Sequence, residues 1–169
     1  MQKSIYISYN PNSQREEELA FDLYKKGREN GFIVNLPQRN GLGYPLNEKT
    51  KINIDSSHWF LVFSTENFSE AVMSEIQYAL RRGKISDQII VVYSTNQGRN
   101  INFDEENRPI EICIDQYNFN RIEEFKEDVF SMISERNQGE TKKDNNALTT
   151  ILGIGAAILL FREILRSSD

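Results

Sequence analysis

Short apolar runs alternate with amphipathic segments along the first 136 residues. Five of these runs have the length and hydrophobicity of strands buried on both faces, as in a parallel sheet covered by helices. They lie at residues 4–9, 32–34, 59–63, 88–94 and 110–114. Helical patterns separate most of the runs. The pattern therefore predicts an α/β fold whose doubly wound, five-stranded parallel sheet has flavodoxin-like order.

The segments between the runs carry the signals of helix ends. Ser13 and Glu16 have the spacing of a capping box, and Ser69 is placed to cap a helix whose apolar residues, Leu80 among them, recur at helical spacing. Gly83 follows two arginines, where a helix tends to end. The predicted helices lie at residues 13–31, 46–57, 69–83 and 120–136, and Asn120 is the expected cap of the last.

Residues 58–83 combine a buried strand, a short polar loop and a capped helix. Such a loop lies at the carboxyl end of its strand, where open α/β sheets bind their ligands. Glu75 falls at the edge of the apolar helix face, from which its carboxylate can reach a cleft. By composition alone, a Glu on an amphipathic helix is more often a solvated surface residue.

Composition limits the classes of partner and site. The 169 residues suffice for one domain with an appendage, and a net charge of −5 argues against a nucleic-acid partner held through phosphate contacts. The lone cysteine, Cys113, lies in an apolar run and is expected in the core, which excludes an intrachain disulfide and a Cys-based zinc site. With His58 as the lone histidine, we expect no metal site and a structural role for His58.

The end of the chain differs from the rest. Residues 137–146 are polar and predict a linker, and residues 147–166 predict a hydrophobic helix with no charge before Arg162. A helix over residues 147–165 would be about 28 Å long, close to the thickness of a hydrocarbon core. The pattern favours a cytoplasmic domain anchored to the inner membrane by this helix. A stripe of small residues also allows an oligomerisation helix in a soluble bundle; the stripe is Thr149, Gly153 and Ala157.

Three local motifs resemble the TIR (Toll/interleukin-1 receptor) domain family, in particular its bacterial TIR-like branch. Residues 5–9, Ile-Tyr-Ile-Ser-Tyr, look like the first strand of the family, and the loop at residues 36–45 stands where the family has its mobile BB loop. Residues 69–75, Ser-Glu-Ala-Val-Met-Ser-Glu, are similar to the family motif Ser-Glu-Trp-Cys-x-x-Glu. The resemblance covers residues 1–136.

The resemblance implies an enzyme of bacterial antiphage defence signalling that cleaves the nicotinamide–ribose bond of NAD, as a hydrolase or an ADP-ribose cyclase. Glu75 takes the place of the catalytic Glu of the motif. NAD is then a substrate, no cofactor is expected, and self-association through TIR–TIR contacts completes the pocket. The residues that we expect to bind the substrate are Tyr9, Asn10, Ser13, Arg39 and Ser64.

The sequence also departs from the family. Ala71 replaces the usual Trp, the Arg-Asp-x-x-Pro-Gly box is not reproduced around Arg39, and Ser57-His58 stands where many members have Ser-Asp. Two alternatives therefore stay open: a non-catalytic TIR module that recruits partners, and an enzyme resembling the nucleoside deoxyribosyltransferases, which also use a Glu.

Overall fold

A five-stranded parallel sheet forms the centre of the fold. The structure, a computed structural model, describes residues 3–39, 46–66, 69–84, 88–95, 109–115 and 118–139. Along the chain the elements are β1 (Ser4–Ser8), α1 (Gln14–Glu29), β2 (Ile33–Asn35), α2 (Glu48–Ser56), β3 (Trp59–Ser64), α3 (Glu70–Arg81), β4 (Ile89–Ser94), β5 (Ile110–Ile114) and α4 (Phe119–Gly139).

The strand order is β2-β1-β3-β4-β5, the order of a flavodoxin-like sheet. This confirms the predicted α/β class and the parallel sheet. From β1 the chain moves to one side to form β2 and then crosses back to form β3 on the other side. The carboxyl ends of β1 and β3 are therefore the point at which the strand order reverses, and such sheets bind ligands there.

The central strands are buried along their whole length, and the edge strand β5 is not. Every residue of β1, β3 and β4 is buried, because each strand sends apolar side chains to both faces of the sheet. In β5 only Ile114 is buried, and Cys113 is exposed. The expectation of a core cysteine is wrong because this strand lies at the edge of the described sheet.

One face of the sheet packs against α2 and α3. Tyr6 of β1 stacks on Phe60 of β3, with 5.5 Å between the ring centroids. The buried stripe of α3 comprises Ala71, Val72, Glu75, Ile76 and Ala79. Glu75 thus lies inside the apolar stripe, not at its edge. Leu80, which was expected in that stripe, is 41% exposed.

The predicted helix ends are largely confirmed. Ser13 caps α1 by accepting a hydrogen bond from Glu16 N, and Ser69 caps α3 by accepting one from Val72 N. Gly83 has a φ of 80°, a left-handed conformation that glycine adopts without steric cost, and it follows the end of α3. For the last helix the expectation is wrong by two residues, since Asn118 Oδ1 accepts from Arg121 N and the helix already begins at Phe119.

The chain forms two compact units, and the first spans Met1–Ile122. The second begins at Glu123, and its described part is the remainder of α4, whose buried residues recur at helical spacing as Phe125, Val129, Met132 and Ile133. Helix α4 continues to Gly139, three residues into the segment predicted as a linker (137–146). Within the described residues no helix is long and apolar enough to cross a membrane, and the predicted hydrophobic helix at 147–166 lies outside them.

Candidate functional site

A carboxylate lies at the point where the strand order reverses. Ser8 ends β1, and the cap at Ser69 starts α3 so that its buried stripe turns Glu75 toward the sheet. Residues alternate between the two faces of a strand, and Tyr6 faces α3, so Ser8 faces α3 as well. The sequence thereby brings together a strand-end hydroxyl and a helix carboxylate that are 67 residues apart.

Glu75 is fully buried and fully engaged. Ser8 Oγ donates a hydrogen bond to Glu75 Oε2 at 2.5 Å. Arg39, from the loop that follows β2, donates from Nε at 3.2 Å and from Nη2 at 3.0 Å, both to Oε1. The Glu75 side chain has 0% exposure and the Arg39 side chain 9%, so this ion pair is shielded from water and from salt.

Burial is the largest influence on the Glu75 carboxyl group, and it raises the pKa. The charge of Arg39 and the hydrogen bond from Ser8 act in the opposite direction and offset part of that rise. The net result is a pKa above the ordinary value of 4.5. The Tyr6 hydroxyl is close enough to feel the charge of this carboxylate but makes no hydrogen bond. The pKa of Tyr6 is raised well above its ordinary value, mainly by burial and secondly by the negative charge of Glu75.

Tyr9 and Arg39, both expected to bind the substrate, are in contact with each other. The guanidinium carbon of Arg39 lies 4.7 Å from the centroid of the Tyr9 ring, which is a cation–π contact. Tyr9 is buried, and this burial raises the pKa of its hydroxyl. The structure therefore groups Tyr9, Arg39 and Glu75, three of the six residues predicted for the site.

Ser64 joins the same edge from β3. Its register partner on β4 is Tyr93, and it lies two residues after Val62, which packs on the α3 face. Ser64 therefore faces α3, as Ser8 does. Because Ser8 pairs with Val62, Ser64 lies two residues closer than Ser8 to the carboxyl ends of the strands. Its hydroxyl is fully buried and has no hydrogen-bond partner within the described part of the chain.

Asn10 and Ser13 have structural tasks in the loop between β1 and α1. Asn10 Oδ1 accepts a hydrogen bond from Asn12 N, and Asn10 O accepts one from Ser13 N. The Ser13 hydroxyl is buried and caps α1. Contact of either side chain with a substrate stays a prediction.

Glu16 is the residue that sequence reasoning missed. Its carboxylate is buried, and Oε2 accepts from Asn10 N at 2.7 Å. Oε1 accepts from the N–H and the hydroxyl of Thr65 at 2.9 and 2.8 Å, and from Glu66 N at 3.2 Å. One carboxylate thus joins the loops that follow β1 and β3, which are two of the three loops beside Glu75. The capping-box spacing marked this residue but assigned its carboxylate to the start of its own helix.

His58 lies at the amino ends of β1 and β3, at the opposite end of these strands from the site. It precedes β3, and its ring atom Nδ1 lies 2.8 Å from Ser4 Oγ. The backbone N–H of His58 donates to the same hydroxyl. It is therefore remote from Glu75, in agreement with a structural role. Across the described ranges, no cluster of three or more His, Cys, Asp or Glu side chains could hold a metal ion.

Comparison with known proteins yields fold neighbours only. No protein-family model matches the sequence, and no curated protein matches it. A diflavin flavoprotein from Nostoc sp. has 15% sequence identity and a TM-score of 0.51, over 83% of this chain and 99% of that chain. The CMP N-glycosidase of Clostridium botulinum has 16% identity and a TM-score of 0.48, over 75% of this chain and 98% of that chain. The first similarity shows the flavodoxin-like fold alone, and the second is too distant to bear on function.

Proposed function

We propose that this chain cleaves the N-glycosidic bond between nicotinamide and ribose in NAD, with Glu75 as the catalytic carboxylate. The observation that supports this most is the buried Glu75, held by Ser8 and Arg39 where the strand order reverses. A buried charge is costly unless it is paired. Carboxyl groups with a shifted pKa in ligand-binding positions are frequently catalytic. The match of residues 69–75 to the family motif points to the same residue.

The reaction requires one negative charge close to the sugar. When the bond between C1′ and the nicotinamide nitrogen breaks, its electron pair leaves with nicotinamide, and the ribose becomes oxocarbenium-like. The Glu75 carboxylate stabilises that positive charge, and does so strongly because water is excluded. The oxygen of a water molecule then bonds to C1′ and releases a proton, so that NAD and water give ADP-ribose, nicotinamide and one proton. In a cyclase, an adenine nitrogen attacks C1′ in place of water.

The partners of Glu75 suit this role. Because the nicotinamide of NAD already carries a positive charge, its departure needs no strong general acid. The carboxylate must only be ionised and correctly aimed. Ser8 and Arg39 do both: each lowers the pKa of Glu75 against the effect of burial, and together they fix both of its oxygens.

Assembly and membrane attachment belong to the same proposal. The motif resemblance supports TIR–TIR self-association and a role in antiphage defence, and the hydrophobic segment at 147–166 supports clustering at the inner membrane. An NAD site that is completed by a neighbouring chain would make activity per chain rise with protein concentration.

A non-catalytic TIR module is the second candidate, and the Arg39–Glu75 pair itself favours it. This buried ion pair can have a purely structural role, which is to fix the conformation of the loop that carries Arg39. In that case the site would bind no nucleotide, and the surface would recruit partners.

Product analysis separates these functions and the deoxyribosyltransferase alternative. The intact protein is incubated with NAD over a range of protein concentrations, and with a deoxynucleoside plus a free base. We expect nicotinamide and linear or cyclic ADP-ribose from NAD, and no base exchange. Base exchange would transfer the assignment to the deoxyribosyltransferase class, and a folded protein with neither activity would support the interaction module.

The acid side of the pH–rate profile tests the ionisation of Glu75. The pKa of this group is raised above 4.5, and the ionised form is the active one. We therefore expect kcat/KM for NAD to fall on acidification with a midpoint above pH 4.5, because kcat/KM reports the free enzyme. A midpoint at or below 4.5 would contradict the raised pKa.

The same shift predicts the pH dependence of stability. A carboxyl group whose pKa is raised on folding binds its proton more tightly in the folded state. Its contribution to the free energy of unfolding is therefore fully present below pH 4.5 and is lost as the pH rises through the folded pKa. The melting temperature of wild type minus that of E75Q should therefore decrease as pH rises through this window. A difference that increases with pH would contradict the shift.

A further inference from the structure

One donor of the Arg39 guanidinium has no partner among the described residues. Nε and Nη2 both bind Glu75 Oε1, but Nη1 is buried and makes no hydrogen bond there. Arginine does not lose its charge in proteins, so this donor cannot be neutralised. A buried donor without a partner lowers stability, so such a group in a native structure is a candidate for binding a ligand.

The geometry of the guanidinium shows which edge lacks a hydrogen-bond partner among the described residues. The edge formed by Nε and Nη2 faces Glu75, and the edge that includes Nη1 is the second one available for bidentate binding. The cation–π contact with Tyr9 helps to hold the guanidinium in position. A ligand can thus bind through Nη1 while the bonds to Glu75 remain.

The unmet hydrogen-bonding capacity lies at the site itself. Ser64 Oγ, on the same sheet face as Glu75, is also buried without a partner in the described part of the chain. The loop after β1 offers less to a ligand, because the N–H groups of Asn10, Asn12 and Ser13 are already bonded within the loop and to Glu16. An anion at this edge would therefore use Arg39 in place of that loop.

We propose that Arg39 Nη1 binds a phosphate group of the substrate, so that the substrate class is a phosphorylated N-ribosyl nucleotide and not a free nucleoside. Planar guanidinium groups match phosphate oxygens in a bidentate way. Carbon C1′ and the 5′-phosphate belong to the same ribose, so one sugar can present C1′ to Glu75 and its phosphate to Arg39. This inference rests on the proposed function, for which it assigns the residue that binds the substrate phosphate.

Two substrates that differ only in the phosphate test the inference. Nicotinamide mononucleotide and nicotinamide riboside share the leaving group and the ribose, and the first adds a 5′-phosphate. We expect wild type to prefer the phosphorylated substrate by about 10- to 100-fold in kcat/KM, the range for one or two charge-assisted hydrogen bonds, with most of the difference in KM.

The variant R39Q isolates the phosphate contact. Loss of Arg39 also disturbs Glu75, but it does so equally for both substrates, so the ratio of their kcat/KM values removes that effect. We expect the preference to fall to about threefold or less in R39Q, and to an intermediate value in R39K, which keeps the charge but loses the planar fork. The matched control R28Q, at an exposed Arg near the end of α1, should keep the wild-type preference.

The outcomes separate this inference from the proposed function. If wild type cleaves both substrates and R39Q keeps the full preference, Arg39 does not bind phosphate and the proposed function stands. If neither substrate is cleaved, binding still decides the matter: ribose 5-phosphate should raise the melting temperature of wild type and R28Q but not of R39Q, whereas ribose should raise none. An equal shift in wild type and R39Q would overturn the inference, as would no shift in wild type.

Discussion

Replacing Glu75 by Gln is expected to lower kcat for NAD cleavage by at least ~100-fold, the scale of losing one preorganised electrostatic stabiliser. Gln keeps the volume and the helix propensity of Glu. Its oxygen can still accept from Arg39, and its other end can still bond Ser8, so the fold should be retained, at a lower stability because Arg39 loses its counter-charge. The loss then reports the charge alone. Steady-state nicotinamide release, with a circular-dichroism melt of each variant, measures both quantities.

A second Glu on α3 supplies the control. Glu70 is exposed in the first turn of α3, so E70Q removes one charge from that helix without touching the site. E70Q should keep wild-type turnover within about twofold, since surface substitutions rarely propagate. Equal turnover in E75Q and E70Q would remove Glu75 from the mechanism.

Replacing Glu16 by Ala is expected to lower the free energy of unfolding by about 3–5 kcal/mol, because four donors lose their acceptor and each buried unsatisfied group costs about 1–3 kcal/mol, less where water can reach it. Those donors are Asn10 N, Thr65 N, Thr65 Oγ and Glu66 N. In E16Q the amide can keep one oxygen as an acceptor, but its NH₂ group then opposes a donor N–H, so a loss of about 2 kcal/mol is expected. Urea unfolding followed by tryptophan fluorescence gives these values.

The exposed Glu18, on the solvent side of the same helix, is the control for Glu16. Its carboxylate bonds only to the exposed Gln14 side chain among the described contacts, so E18Q should change the unfolding free energy by less than about 0.5 kcal/mol. A loss of the same small size in E16A would mean that the two loops do not depend on Glu16.

The sheet and the helix caps could be predicted because their signals are local. The fifth strand, Ile110–Ile114, matches its apolar run residue for residue, and Ser13 and Ser69 cap the helices that their spacing indicated. Cys113 shows the limit of this reasoning. An apolar run predicts a strand, but the exposure of its residues depends on whether the strand is central or at an edge.

The site could be predicted only in part, because its contacts are long-range. The position of Glu75 follows from a motif and a helical pattern. Its pairing with Arg39 depends on a loop 36 residues away, and the contact between Glu16 and Thr65 spans 49 residues. No spacing rule connects such residues. A buried carboxylate with four donors and a capping-box Glu look the same in the sequence, and only the packing of the two loops distinguishes them.

The most direct test of the central claim is a crystal structure of E75Q with NAD bound, since this variant should hold the substrate without cleaving it. We predict C1′ of the nicotinamide ribose about 3–3.5 Å from the substituted side chain at position 75, the separation of groups positioned for reaction. We also predict a phosphate oxygen within hydrogen-bond distance of Arg39 Nη1. NAD bound away from the carboxyl ends of β1 and β3, with its nicotinamide ribose out of reach of residue 75, would contradict the account.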